Sequence, residues 1–163
     1  MRVSDPSVAP LPDASSCRFA IVVARFNEDI TAKLSTGARA ALAEARVADD
    51  GVELFEVPGA FELPQAARAA ADTGRFDAIV CLGCVIRGAT PHFQYISDSV
   101  AHAMQQAAAD TGVPMAFGVL TTDTWEQAEE RAIEGRENKG FEAASAAVEM
   151  ALLFRRLRGG SRR

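Results

Sequence analysis

Apolar residues along this chain follow two alternating rhythms. Four short runs read as strands: Phe19–Ala24 (F-A-I-V-V-A), Val52–Val57 (V-E-L-F-E-V), residues 78–85 (A-I-V-C-L-G-C-V) and residues 115–120 (M-A-F-G-V-L). They are short, rich in β-branched side chains and mostly uninterrupted by polar ones, as suits strands buried on both faces of a parallel sheet. The stretches between them repeat at three and four. Ile30, Leu34, Ala38, Ala41, Leu42 and Ala45 mark a helix over residues 30–45 with Asp29 as its cap. A second helix spans Leu63–Asp72 and stops at Thr73-Gly74. A third spans residues 91–111, with Thr90 as N-cap and Pro91 as first helical residue, and stops at Gly112-Val113-Pro114. Thr124 and Gln127 form a capping box for a fourth helix over residues 125–133, and Asn138 caps an Ala-rich fifth to residue 157. Strands alternating with helices predict one α/β domain on a four-stranded, parallel, doubly wound sheet.

Such sheets bind ligands outside the carboxyl ends of their strands. The residues with no obvious packing duty gather there: Phe26 after strand one, 59–62 after strand two, 87–92 after strand three and 121–124 after strand four. The third junction is the most telling. Its strand runs into Arg87-Gly88-Ala89-Thr90-Pro91 and then a helix start, where free backbone N–H groups and the positive dipole end suit a phosphate or another anion. His92 adds a titratable imidazole in the first turn. A plain βα turn with a surface histidine is the competing interpretation.

Composition narrows the class. A chain of 163 residues, 48% hydrophobic, can build one sizeable core. No apolar run reaches the roughly 20 residues of a membrane span. Residues 1–17 are rich in Pro, Ser and Asp and read as a flexible arm without the apolar centre of an export signal, so a cytoplasmic location is expected. The net charge of −5 becomes −10 once the five arginines at 155, 156, 158, 162 and 163 are set aside. That balance argues against nucleic acid as a partner. The arginines read as a solvated helix end, favourable at the negative dipole, with partner contact as the sharper alternative. Cys81 and Cys84 stand three apart in a predicted strand, hence on opposite faces, and no second pair completes a zinc site. They read as buried, reduced thiols, while Cys17 is uninformative.

The motifs A-R-F-N, V-P-G-A-F-E-L-P, L-G-C-V-I-R-G-A-T-P-H-F, F-G-V-L-T-T-D-T-W-E-Q-A-E-E-R-A and N-K-G-F-E-A-A, in this order, resemble the lumazine synthases over about residues 19–157. The resemblance implies a flavodoxin-like three-layer αβα sandwich, with residues 1–17 as arm, 18–158 as the domain and 159–163 as a basic tail. It implies an enzyme that condenses 5-amino-6-(D-ribitylamino)uracil with 3,4-dihydroxy-2-butanone 4-phosphate to 6,7-dimethyl-8-ribityllumazine and phosphate, in riboflavin synthesis, without metal or organic cofactor. His92 would shuttle protons. Phe26, Ala60, Phe61, Glu62, Cys84, Val85, Ile86 and Phe117 would bind the ribitylaminouracil, with Phe117 coming from a neighbouring subunit. Ala89, Thr90 and Arg131 would hold the phosphate, with Lys139 ranked below Arg131. Arg87, in the same loop, serves either ligand or packing between subunits.

The resemblance also implies assembly: a homopentamer with sites between subunits, a 60-subunit shell built from pentamers, and riboflavin synthase as cargo. The arm would join or cover a neighbour's sheet. Two departures from the family pattern stand out. Gln94 replaces an acidic residue two after the histidine, and Ile133 and Glu137 occupy glycine positions in the break before the fifth helix. Glycine permits φ > 0 and Ile resists it, so the kink is expected to differ. Two other functions fit the same residues: a flavin- or phosphate-binding module without catalysis, and a structural shell protein whose arginine tail contacts cargo.

Overall fold

A computed structural model of the chain describes residues 9–159. Its elements are β1 (Phe19–Ala24), α1 (Glu28–Glu44), β2 (Val52–Val57), α2 (Leu63–Asp72), β3 (Ala78–Ile86), α3 (His92–Thr111), β4 (Met115–Thr122), α4 (Trp125–Arg131) and α5 (Lys139–Leu157). Short 3₁₀ turns at Asp49–Gly51 and Ala60–Glu62 lead into β2 and α2. The sheet order is β2-β1-β3-β4 and every pairing is parallel, which is the expected doubly wound α/β architecture.

Strand alternation divides the core into two layers. Phe19, Ile21 and Val23 of β1, with Val80, Leu82 and Cys84 of β3, pack against α1 and α5. Ala20, Val22 and Ala24, with Ile79 and Cys81, pack against α2 and α3. Cys81 and Cys84 therefore lie on opposite sides of the sheet, as their spacing predicts. Burial pushes the Cys81 thiol up to about 12 and the Cys84 thiol up to about 11. Not every strand is covered on both faces: β2 lies at the sheet edge, where Phe55 is exposed.

Several boundaries differ from the sequence expectation. Helix α1 begins two residues earlier, and its cap is Asn27 in a left-handed conformation (φ 60°), with Asp29 already inside the first turn. Helix α3 begins at His92, with Pro91 at the cap and no side-chain cap bond, so Thr90 does not cap it. Strand β4 runs two residues further, because β3 stays paired with it to Ile86–Thr122. Helix α4 ends at Arg131. The arm differs as well: Leu11 packs on the core, and Ala14 and Cys17 are buried in it. The Ala14 N–H donates to the Ala45 carbonyl at 2.8 Å. Arg155 donates to Ser16 and ion-pairs with Asp77, and Arg158 donates to the Gly112 carbonyl, so neither is only a solvated charge. Residues 1–8 and tail residues 160–163, with Arg162 and Arg163, lie outside the described residues.

Candidate functional site

Above the carboxyl ends of β1, β2 and β3 lies a hollow of about 490 Å³, lined by Phe26, Ala60, Phe61, Glu62, Cys84, Val85, Ile86, Thr90 and His92 among others. Three loops build it. After β1, the chain turns through Arg25 and Phe26, whose N–H groups bond the carbonyls of Val57 and Pro58. That leaves Phe26 70% exposed, its ring available as a flat apolar face. After β2, the 3₁₀ turn carries Ala60, Phe61 and Glu62. Glu62 Oε2 accepts the Gly59 N–H at 3.0 Å, which fixes the carboxylate at the rim. Phe61 is 54% exposed beside it.

The β3 side supplies backbone. Pairing between β1 and β3 stops at Leu82, while β3 continues to Ile86 against β4 alone. The Arg87 N–H bonds the Thr122 carbonyl on the β4 side. By strand alternation, Cys84 and Ile86 turn their polar groups the other way, into the space that β1 vacates. There the Cys84 carbonyl accepts the Asn27 side-chain amide at 2.9 Å. Beyond β3, Gly88, Thr90, His92 and Phe93 reach the hollow and Ala89 is exposed in the same loop. No side chain caps α3, and although the Gln94 N–H is given to the Pro91 carbonyl at 3.1 Å, the N–H groups ahead of it are left to an outside acceptor. The His92 imidazole makes no hydrogen bond among the described residues.

The remaining expected residues lie elsewhere. Phe117, Arg131 and Lys139 line a separate hollow of about 400 Å³ beside edge strand β4 and α5, together with Thr121 and Glu142. Phe117 is 45% exposed there. Arg131 donates to the Gln127 carbonyl at 2.9 Å, and Lys139 ion-pairs with Glu142 at 2.9 Å. One copy of the chain does not bring these residues to His92.

A family model described as 6,7-dimethyl-8-ribityllumazine synthase matches residues 16–155. The 6,7-dimethyl-8-ribityllumazine synthase of Syntrophus aciditrophicus (strain SB) is 50% identical over 144 residues, covering 88% of this chain and 94% of that one. The chain belongs to the 6,7-dimethyl-8-ribityllumazine synthase family.

Set in the lumazine synthase family, the two departures have structural answers. The Gln94 amide donates to both Asp98 oxygens at 3.2 Å, one helical turn on, and is spent along α3. In the break before α5 the positive φ falls on Gly135 (φ 108°), so neither Ile133 nor Glu137 needs it. The residue that sequence reasoning missed is Asn27. It stands in A-R-F-N, and an Asn just before a helix is a signal for a left-handed cap. Its partner, 57 residues away, is invisible to local pattern.

Proposed function

We propose that the protein condenses 5-amino-6-(D-ribitylamino)uracil with 3,4-dihydroxy-2-butanone 4-phosphate, releasing 6,7-dimethyl-8-ribityllumazine and phosphate, as the penultimate step of riboflavin synthesis. The observation that carries the proposal is the convergence, in a chain of this family, of an aromatic face, a carboxylate, open strand backbone and an uncapped helix start on one hollow.

The chemistry asks little of the protein by way of nucleophiles. The substrate amine adds to the ketone, water leaves to give an imine, phosphate is eliminated, the resulting enol tautomerises to a carbonyl, and the ribityl-bearing nitrogen attacks that carbonyl and closes the ring with loss of a second water. The protein positions two substrates and moves protons. Phe26 stacks on the pyrimidine and the backbone of Ile86 reads its edge, whereas Val85, in phase with Arg87 and so with its backbone turned to β4, contributes only to the lining. The Cys84 carbonyl, with one lone pair already given to Asn27, has a second to offer. Glu62 has one oxygen fixed by Gly59 and the other for a ribityl hydroxyl. Ala60 and Phe61 wall that side. The phosphate sits on the open N–H groups around Ala89 and Thr90. His92 takes the proton from the condensing amine and returns it to a leaving group.

The site is completed by a neighbour. A guanidinium is the natural partner for the phosphate, and Phe117 and Arg131, with Lys139 in support, lie on a different surface from His92. A second copy placing its β4 edge over the hollow supplies all three and excludes water from the imine. Helix α3 supports association: of its twenty residues only Val100, Met104 and Ala107 are buried in one copy. The assembly is a homopentamer in the cytoplasm, and the short break between α4 and α5 suits pentamers packing into a 60-subunit shell with riboflavin synthase as cargo. No helix among the described residues is long and apolar enough to cross a membrane.

The test is turnover of the two substrates by the purified protein, read as lumazine absorbance and released phosphate. Stoichiometric appearance of both supports the assignment. Tight binding of lumazine or riboflavin without turnover overturns it in favour of a binding module.

A further inference from the structure

We propose that Arg87 is a positioning residue that holds the phosphate loop, residues 88–92, in its working shape. The inference rests on the reading of that loop as the phosphate site. The loop has little else to hold it. Residues 87–92 are all exposed, α3 has no side-chain cap, and a Cβ built on Gly88 would meet nothing within 4 Å. Arg87 itself is not among the residues lining the hollow, although Ile86 and Gly88 on either side of it are. Its side chain goes elsewhere, to two anchors that bracket the loop.

The first anchor is the turn after β4. The Arg87 N–H donates to the Thr122 carbonyl at 2.8 Å, and Arg87 Nε donates to Asp123 Oδ1 at 2.6 Å. Asp123 is in turn fixed to α4, because its N–H donates to Gln127 Oε1 at 2.8 Å. The second anchor is Phe93, just past the loop. The Arg87 guanidinium lies 4.8 Å from the centre of that ring. Phe93 also lines the hollow, next to His92. Arg87 thus clasps the two ends of the loop together and ties the clasp to a rigid neighbour. Both contacts are solvent-accessible, so each is weak alone. Their effect falls on the geometry of the N–H cradle, where small displacements matter, and not on global stability.

Arg87→Ala, Arg87→Lys, Asp123→Asn, Phe93→Leu and the double variant Arg87→Ala/Phe93→Leu separate the possibilities. The expected result for Arg87→Ala is a KM for the butanone phosphate raised about three- to tenfold, with a matching rise in the inhibition constant of inorganic phosphate. The KM for the ribitylaminouracil and the melting temperature stay near the parent values. Phe93→Leu shifts the same constants, the double variant is no worse than the poorer single, and Arg87→Lys recovers part of the loss. Hydrogen exchange gives an independent readout: amides 88–93 exchange faster in Arg87→Ala and Asp123→Asn while the rest of α3 is unchanged. Unchanged constants and exchange overturn the proposal. So does a large effect of Arg87→Ala with none from Phe93→Leu or Asp123→Asn, since Arg87 would then touch the phosphate itself. Ala89→Asp serves as the control on the loop: if it leaves phosphate binding intact, the site reading fails; if it abolishes binding while Arg87→Ala is silent, only the clasp fails.

Discussion

Asn27 joins two duties in one side chain. It starts α1 from a left-handed backbone, and its amide ties the β1 loop to the end of β3 at the Cys84 carbonyl. Asn27→Gly keeps the backbone and loses the tie, whereas Asn27→Ala loses both. The expected order of urea midpoints, at fixed protein concentration, is parent, then Gly, then Ala, with Ala costing about 1–2 kcal/mol. His92→Ala is expected to lower kcat by about 10²-fold, the low end for acid–base help, because much of the rate comes from positioning. The thiols give a pH prediction. In the fold Cys81 and Cys84 hold their protons to about 12 and about 11, above the unfolded value of 9.0. Above pH 9 the unfolded chain therefore binds fewer protons than the native one, so stability declines as pH rises from 9 toward those values. Native protein at pH 8 should resist thiol alkylation and become reactive in denaturant. What the sequence made legible at this scale was placement: Phe26, Glu62 and His92 fall on the strand-end loops and line one hollow there. Asn27 and Arg87 were unreadable as ties because their partners lie 57 and 36 positions away.

Among the elements, the helix starts show the same division. Thr124 and Asn138 were legible caps because their partners are the next turn's N–H groups: Thr124 Oγ1 accepts from Gln127, and Asn138 Oδ1 from Gly140 and Phe141. Asp29 and Thr90 fit the composition of a cap equally well, but tertiary contact decided otherwise. At α1, Asn27 is held by Cys84. At α3, the chain leaves β3 tied to β4 and enters the helix through Pro91. Asn138 is also buried and donates to the carbonyls of Lys33 and Ala132, which pins the break before α5 to both α1 and α4. Asn138→Ala should cost about 2–4 kcal/mol in urea unfolding, more than an exposed cap, because it orphans the buried N–H groups of Gly140 and Phe141 and removes a buried bond to the Ala132 carbonyl. Gly140 allows α5 its closest approach to α1, and a Cβ there would run into the Leu34 carbonyl. Gly140→Ala should therefore lower the melting temperature more than Asn138→Ala does. The four-strand parallel sheet was readable from the apolar runs alone. The packing of residues 9–17 was not, since it depends on a backbone bond to Ala45 and on burial of small side chains with no period.

For the whole molecule, the expected site residues other than Ala89 line two separate hollows of one chain, and the proposed pentamer is what would bring the two together. Light scattering at low concentration should report a mass of at least five subunits, and a mass near five rather than sixty defeats the shell. The most direct test of the shared site mixes two defective variants. His92→Ala damages the hollow above the strands, and Arg131→Ala damages the hollow beside β4. Dissociated, mixed in equal amounts and reassembled, random pentamers place an intact half of each kind together at about one site in four. The account predicts turnover recovering to about a quarter of the parent value, well above either variant alone. Turnover no higher than the average of the two would contradict it, placing both residues in a site made by a single chain.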